Sequence, residues 1–285
     1  MKKTGKNKKI EARGTRFAKN LISVILITYS SLSIFLIGNT ILSSFKTKSD
    51  LINNTIGWPK SFSLESYQIV LGQEHFLKYF LNSVLLVGGA LICLELVASM
   101  VAYGLSQYEF KGRGLMQSYF LVGLMFPIQL GILPLFVMMT KVHLNNSLLG
   151  LVLIYTANLS FPVFTFSRFF KEFPVSLIES ARIDGASEFQ IYAQMVVPIS
   201  KPVIFTVGLL NFVQLWNDFF MPLVFLTKME VRTLTLAVYN YSANFLANWN
   251  KIFAAATIAL IPVIIIYFMF SEQIVAGLTG GSVKG

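Results

Sequence analysis

Two carboxylates stand where a carboxylate is expensive. Glu95 and Asp218 each interrupt a long apolar run, and an ionisable side chain inside a membrane-crossing stretch normally faces a cavity or a partner. Asp218 follows Trp216 and Asn217, so one helical turn offers a carboxylate, an amide and a flat aromatic face. Those groups suit a ligand rich in hydroxyls with an apolar ring face, such as a sugar in a translocation pathway. They serve equally well to pack one span against a neighbour, and both readings stay open. Glu95 likewise either lines the pathway or makes a structural hydrogen bond between helices. Other chemistries find no foothold. No G-x-x-x-x-G-K-[ST] occurs, so the chain does not cradle ATP phosphates by that device. The one cysteine, Cys93, lies in an apolar run, which excludes a disulfide framework or a cysteine metal cluster. His75 and His143 lie far apart without ligand spacing, so no metal site is expected. No Ser/His or His/Glu/Asp constellation falls on an apolar run, and the chain reads as a non-enzyme.

The charged stretch between long apolar runs is Lys171–Pro202. Pro174 suits the first turn of a helix, where its missing N–H is not needed. Val175, Ile178 and Ala181–Arg182 then follow at spacings of three and four. Asp184-Gly185 ends this helix, with Gly supplying the left-handed residue that a helix C-terminus favours. Ser187 caps a second helix, and Gln190 three residues on completes a capping box. Phe189, Tyr192 and Val196 are expected on one face of that helix, with Pro198 ending or kinking it. A helix–Gly–helix between two spans is suited to docking against another protein.

Composition sets the class. Hydrophobic residues make up 55% of 285 and charged ones 13%, with a mean hydropathy of +0.66, outside the range of a soluble globular domain. The net charge of +10 is not spread as a nucleic-acid partner would need. Eight of the 23 basic residues crowd into the first 19 positions, and a basic tail against an apolar span is the positive-inside signal.

The expected class is an all-α polytopic membrane protein with six spans and both termini cytoplasmic. Residues 1–19 form the basic tail. The spans are read at about 20–45, 79–106, 114–140, 144–167, 203–226 and 252–271, with 171–202 a cytoplasmic loop and 272–285 a cytoplasmic tail. The first run carries no charge over 26 residues. It is too long for a signal-peptide core and no small-x-small cleavage site follows, so it is read as a retained span. Lys46–Lys78 is an outside loop with room for a short interfacial helix. Pro127 and Pro134 are expected to kink the third span, and Asp218 interrupts the fifth. This topology places 15 of the 23 Lys and Arg inside and 8 outside. Tyr239, Tyr241, Phe245 and Trp249 cluster in the last outside loop, which reads as an aromatic belt.

The motifs also carry a resemblance. ESARIDGAS at 179–187 and MVVP at 195–198 are similar to the EAA loop of ABC-importer permeases, whose pattern is Glu-Ala-Ala, three residues, Gly, nine residues, Ile-x-Leu-Pro. Glu179, Ala181, Gly185 and Pro198 match, Ser180 stands for the second letter, and Met195 and Val197 replace Ile and Leu. The stretches FLNSVLLVGGA, VAYGLSQYEFKGRG, FPIQLGILPLF, LWNDFFMPLVFL and GLTGGSVKG look like further signatures of the maltose-permease-like carbohydrate importers, in their shorter six-span partner. The match runs from about Phe80 to Gly285. The resemblance implies a MetI-like fold and a bacterial inner-membrane location. It also implies a second homologous permease, a cytoplasmic ATPase dimer that carries the ATP and Mg, and an extracellular or periplasmic sugar-binding protein. It assigns the coupling role to a loop holding Glu179, Ser180, Ala181, Asp184, Gly185 and Pro198. In the relatives the last outside loop probes the binding protein, a second reading for its aromatic residues here. A rival class is an ion-coupled secondary transporter working through Glu95 or Asp218, which an inverted repeat would support; no convincing one is present.

Overall fold

The structure is a computed structural model. It describes residues 4–73, 75–242 and 245–279, with side chains described except at 4–17, 73, 175, 245–248 and 271–279. The basic side chains up to Arg16, the side chains of Val175 and of residues 245–248 (Phe245 among them), and the closing tail residues 280–285 thus lie outside the described residues. Every regular element among the described residues is helical. In lipid this is the expected economy, since a helix satisfies its own backbone polar groups.

The chain divides into two compact units, Met1–Gly72 with Asn244–Ile258, and Gln73–Ala243 with Ala259–Gly285. In the first unit α1 (Thr4–Ser44) is followed by α2 (Lys48–Asn53) and α3 (Glu65–Gln73). The segment expected outside therefore holds two short helices. Thr47 caps α2 by accepting the Asp50 N–H at 3.3 Å. Lys46 is fully buried and its ammonium donates to the carbonyls of Asn54 and Thr55, at 2.8 and 3.4 Å. Those bonds answer the desolvation of a buried charge.

The second unit is built around α4 (Phe76–Gln107). Ala90, Leu94, Ala98 and Ala102 recur every four residues along it and are all buried. The three alanines among them let neighbouring helices approach closely, and such close packing favours helix association in lipid. Its neighbours follow in order: α5 (Arg113–Gly123), α6 (Ile132–Lys141), α7 (Leu148–Thr156), α8 (Ser160–Phe170), α9 (Val175–Ile183), α10 (Glu188–Ile191), α11 (Val197–Ile199), α12 (Lys201–Asn217), α13 (Phe220–Phe225), α14 (Leu234–Ser242) and α15 (Phe245–Thr279). Helices α7, α8 and α12 all pack against α4. The turn after α4 is held by Arg113, which donates to the carbonyls of Leu105 and Ser106, and by Gln117, which donates to Leu105.

Three helical stretches are long and apolar enough to cross a membrane, Ala18–Ser44, Phe76–Gln107 and Trp249–Phe270, and up to six crossings result if each bent pair counts as one. The bends have identifiable causes. The third run breaks by 95° between α5 and α6, at Leu124–Pro127, whereas Pro134 sits in the first turn of α6, where a proline is tolerated. The fourth breaks by 45° between α7 and α8, and Pro162, like Pro134, sits in the first turn of the helix that follows the break. α15 starts at Phe245 and reaches Thr279, well past the apolar run at 252–271. Polar residues end a membrane run without ending a helix.

Candidate functional site

The loop after α8 folds as a helical hairpin. Pro174 is the N-cap of α9 rather than a residue of its first turn. Gly185 has φ 84°, the left-handed conformation that costs a side-chain-bearing residue about 1–2 kcal/mol. Ser187 and Gln190 form the capping box that opens α10. Beyond it Tyr192–Val196 is a π-helical turn, because Pro198 has no N–H to return to Gln194 and the chain widens to accommodate it. The sharp bend, 75°, falls between Ile199 and Lys201. Pro202 rather than Pro198 is responsible, since its ring crowds the carbonyl four residues back.

One face of this hairpin is sealed into the helices. Ile178, Ile191, Tyr192 and Val196 share a buried cluster with Ala98, Ala102, Phe166, Phe170 and Val207, drawn from α4, α8 and α12. Phe189 is not part of that face; it is 68% exposed, and Ile191 takes the inward position expected for it. The opposite face carries Leu177, Ile183 and Phe189, exposed apolar side chains, with Ile183 86% exposed. Glu179, Ser180, Asp184 and Pro198 are exposed and Ala181 is half-buried. Among the described residues Glu179 makes no ion pair.

The hairpin is closed by a pair that the sequence did not single out as a site. Arg182 donates to both carboxylate oxygens of Glu188, at 2.7 and 3.3 Å. The Tyr103 hydroxyl on α4 donates to the same carboxylate at 3.0 Å, and the Arg182 guanidinium lies 6.0 Å over the Tyr108 ring. Arg182 first, then the nearby hydroxyls of Tyr108 and Tyr103, hold the Glu188 carboxyl down at about 2. No local periodicity announces this cluster. Arg182 and Glu188 are six residues apart, which is not a helical register, and they meet only because the chain reverses at Gly185.

The Trp216, Asn217 and Asp218 side chains diverge. Trp216 is buried, stacks on Phe212 at 5.6 Å, and its indole N–H donates to the Ala259 carbonyl at 3.1 Å. Asp218 ends α12 and opens α13: its Oδ1 accepts from the N–H groups of Phe220 and Met221, at 2.9 and 3.3 Å, and its Oδ2 accepts from the Tyr155 hydroxyl at 2.7 Å. Only Asn217 is exposed, and it donates back to the Val213 carbonyl. The break expected at Asp218 is thus a capped helix junction tied to α7. Of the last-loop aromatic residues, Tyr241 is buried while Tyr239 is exposed and stacks on Phe219 at 4.9 Å.

Glu95 sits elsewhere, on α4 facing Gly208 of α12. A side chain built on Gly208 would begin 3.5 Å from Glu95 Oε1. Both carboxylate oxygens are closed off from solvent and, among the described residues, neither has a hydrogen-bond partner. No group of His, Cys, Asp and Glu among the described residues could hold a metal ion.

The description of binding-protein-dependent transport system inner membrane components fits residues 95–279. The chain belongs to this family. Within it, the chain is 33% identical over 272 residues to the diacetylchitobiose uptake system permease protein NgcG of Streptomyces coelicolor, covering 94% of this chain and 90% of that one. It is 31% identical to the probable starch degradation products transport system permease protein AmyC of Thermoanaerobacterium thermosulfurigenes, over 95% of this chain and 99% of that one. A bacterial ABC transporter involved in the import of the acidic polysaccharide alginate has a chain of the same fold, with a TM-score of 0.79 over 91% of this chain and 97% of that chain at 22% identity. The fold is the all-helical MetI-like permease fold, and this family member is a multi-pass membrane protein that transports rather than catalyses.

Proposed function

We propose that this inner membrane component is a carbohydrate importer permease, moving a sugar or oligosaccharide delivered by an extracellular binding protein. It works beside a second permease subunit and is driven by ATP hydrolysis on a cytoplasmic ATPase dimer. In this reading the six crossings leave both termini in the cytoplasm of a bacterial cell, and residues 171–202 form the coupling loop. Support for the carbohydrate class comes from relatives named for diacetylchitobiose and starch-product transport, and support for the orientation from the charge bias of the loops.

The observation that carries the coupling role is the two-sidedness of the hairpin. Its inner face is packed into α4, α8 and α12, so a push on the loop is transmitted to three helices at once. Its outer face presents Leu177, Ile183 and Phe189 with the unpaired Glu179 and the tight turn at Gly185. Exposed apolar side chains rimmed by polar ones mark a protein-binding surface. Asn217, the exposed member of its triplet, is the pathway-facing residue in this reading, while Trp216 and Asp218 hold the junction that presents it.

The test is uptake of a panel of labelled oligosaccharides by vesicles holding the complete complex. Uptake should need ATP inside and should disappear when the outer face is altered by Ile183→Asp with Phe189→Asp, the subunit remaining in the membrane. Undiminished uptake by that variant would remove the coupling role from this loop. The rival, a secondary transporter driven by an ion gradient, predicts uptake without ATP.

A further inference from the structure

Where α8 ends, a pocket of about 220 Å³ opens between α4, α5 and α8. Phe120 and Val163 give it buried apolar walls. Arg168 and Lys171 bring two positive charges to its lining, which holds no Asp or Glu. Among the described residues neither cation makes an ion pair. The carboxylates nearest in sequence do not answer this charge, since Glu109 pairs with Arg113 and Glu172 is exposed outside the lining. Ser167, also in the lining, is 9% exposed, and its buried hydroxyl has no partner among the described residues. Two unopposed cations beside an unpaired hydroxyl donor are the elements of an anion site, because hydrogen bonds and charge then act on the same ligand.

The place of the pocket in the chain narrows the class of anion. Residues 144–167 carry no charge and Arg168 is the first charged residue after them, so the pocket lies where a membrane run gives way to headgroups. Leu121 and Phe164 belong to the lining as well, and are 52% and 39% exposed. A free phosphate would meet the cations and leave those two side chains bare. A neutral sugar gains nothing from two positive charges, and the apolar walls would strand its hydroxyls. An acidic peptide would set polar backbone against Leu121 and Phe164. A phospholipid carries phosphate and hydrocarbon in one molecule, and basic pockets between helices at a membrane surface take such headgroups. We propose that this pocket binds the headgroup phosphate of an anionic phospholipid. Arg168 and Lys171 balance its charge, the Ser167 hydroxyl donates a hydrogen bond to it, and the acyl chains cover Leu121 and Phe164.

The test is made on the full chain, purified with the subunits that accompany it and stripped of lipid in a neutral detergent. It is titrated with phosphatidylglycerol or with phosphatidylcholine of matched chains, and native mass spectrometry counts the bound lipids. The expected result is one saturable phosphatidylglycerol adduct, held more tightly than phosphatidylcholine, whose choline cancels the phosphate charge. Arg168→Gln with Lys171→Gln should weaken that adduct about thirtyfold, each basic residue at a membrane surface being worth about a factor of five. Ser167→Ala should weaken it about fivefold. Because Ser167→Ala removes only an unpartnered hydroxyl, its thermal midpoint in phosphatidylcholine should not fall, which separates lost binding from lost folding even where the double variant fails to fold. Equal weakening by Lys111→Gln with Lys201→Gln, two exposed lysines outside the pocket, would point to a diffuse surface field and overturn the site. Displacement of the lipid by an equal concentration of inorganic phosphate or glycerol 3-phosphate would assign the pocket to a soluble phosphate and overturn the lipid. So would the absence of a saturable adduct, or an adduct that Ser167→Ala and the Arg168, Lys171 variant leave unchanged.

Discussion

Arg182 and Glu188 clamp the loop hairpin across Gly185, meeting through two hydrogen bonds at 2.7 and 3.3 Å. Both side chains are about two-fifths exposed, so the pair adds little to overall stability; solvent-exposed pairs contribute about 0–1 kcal/mol. Its effect is geometric, since it sets the angle between α9 and α10. Arg182→Glu should therefore lose ATPase association while the chain still inserts, and Arg182→Glu with Glu188→Arg should regain a large part of it. Pull-down of the ATPase measures both; a double variant no better than the single one would deny the pair this role.

The same pair sets a pH expectation. Glu188 titrates at about 2, below its usual 4.5. A lowered carboxylate contributes its stabilisation above 4.5 and loses it as the pH falls from there toward 2. Between pH 5 and 8 the ratio of uptake by Glu188→Gln to uptake by the parent should stay flat. A ratio that varies across that range would show that another group governs the loop.

Gly185 separates backbone strain from surface contact. Nothing lies within 4 Å of a side chain built there, yet φ is 84°, so within this chain the penalty is conformational. Asn enters the left-handed region more readily than a β-branched residue. Gly185→Val should insert normally and lose ATPase association and uptake, Gly185→Asn should keep part of both, and Glu179→Ala, which removes one contact worth about 1–3 kcal/mol, should be only partly impaired. Full association by Gly185→Val would contradict the docking role.

Tyr155 and Asp218 form a staple between α7 and the α12–α13 junction. Removing the cap by Asp218→Ala should cost about 0.5–2 kcal/mol and lower the thermal midpoint of the purified complex. Asp218→Asn keeps one acceptor and should assemble while transporting more slowly. In a double-mutant cycle Tyr155→Phe and Asp218→Asn should be coupled by about 0.5–3 kcal/mol. Additivity would mean the hydroxyl and carboxylate act independently.

The chain has no G-x-x-x-x-G-K-[ST] sequence to cradle ATP phosphates. Purified alone it should hydrolyse ATP no faster than an empty-vector preparation, with activity appearing on addition of the ATPase and the second permease. Hydrolysis by the isolated chain would overturn the assignment of ATP to the partners.

Local chemistry was legible in the residues themselves. A left-handed glycine, a Ser-x-x-Gln capping box and long uncharged runs depend on neighbours a few positions away, so Gly185, Ser187 with Gln190, and the apolar stretches could be read without a fold. The sites of bending were less legible, because several prolines compete within a few residues and only packing decides which one breaks the helix: Pro127 over Pro134, and Pro202 over Pro198. What no spacing could reveal is which distant side chains meet. Trp216, Asn217 and Asp218 share a turn in sequence, yet the end of α12 sends one inward, one outward and one to the Tyr155 hydroxyl 63 residues away. Tyr103 reaches Glu188 across 85 residues. Among the described residues Glu95 has no partner, and Gly208, far along the chain, presents no side chain to it. Apolar character is a property of each residue, and partnership is a property of the packed helices.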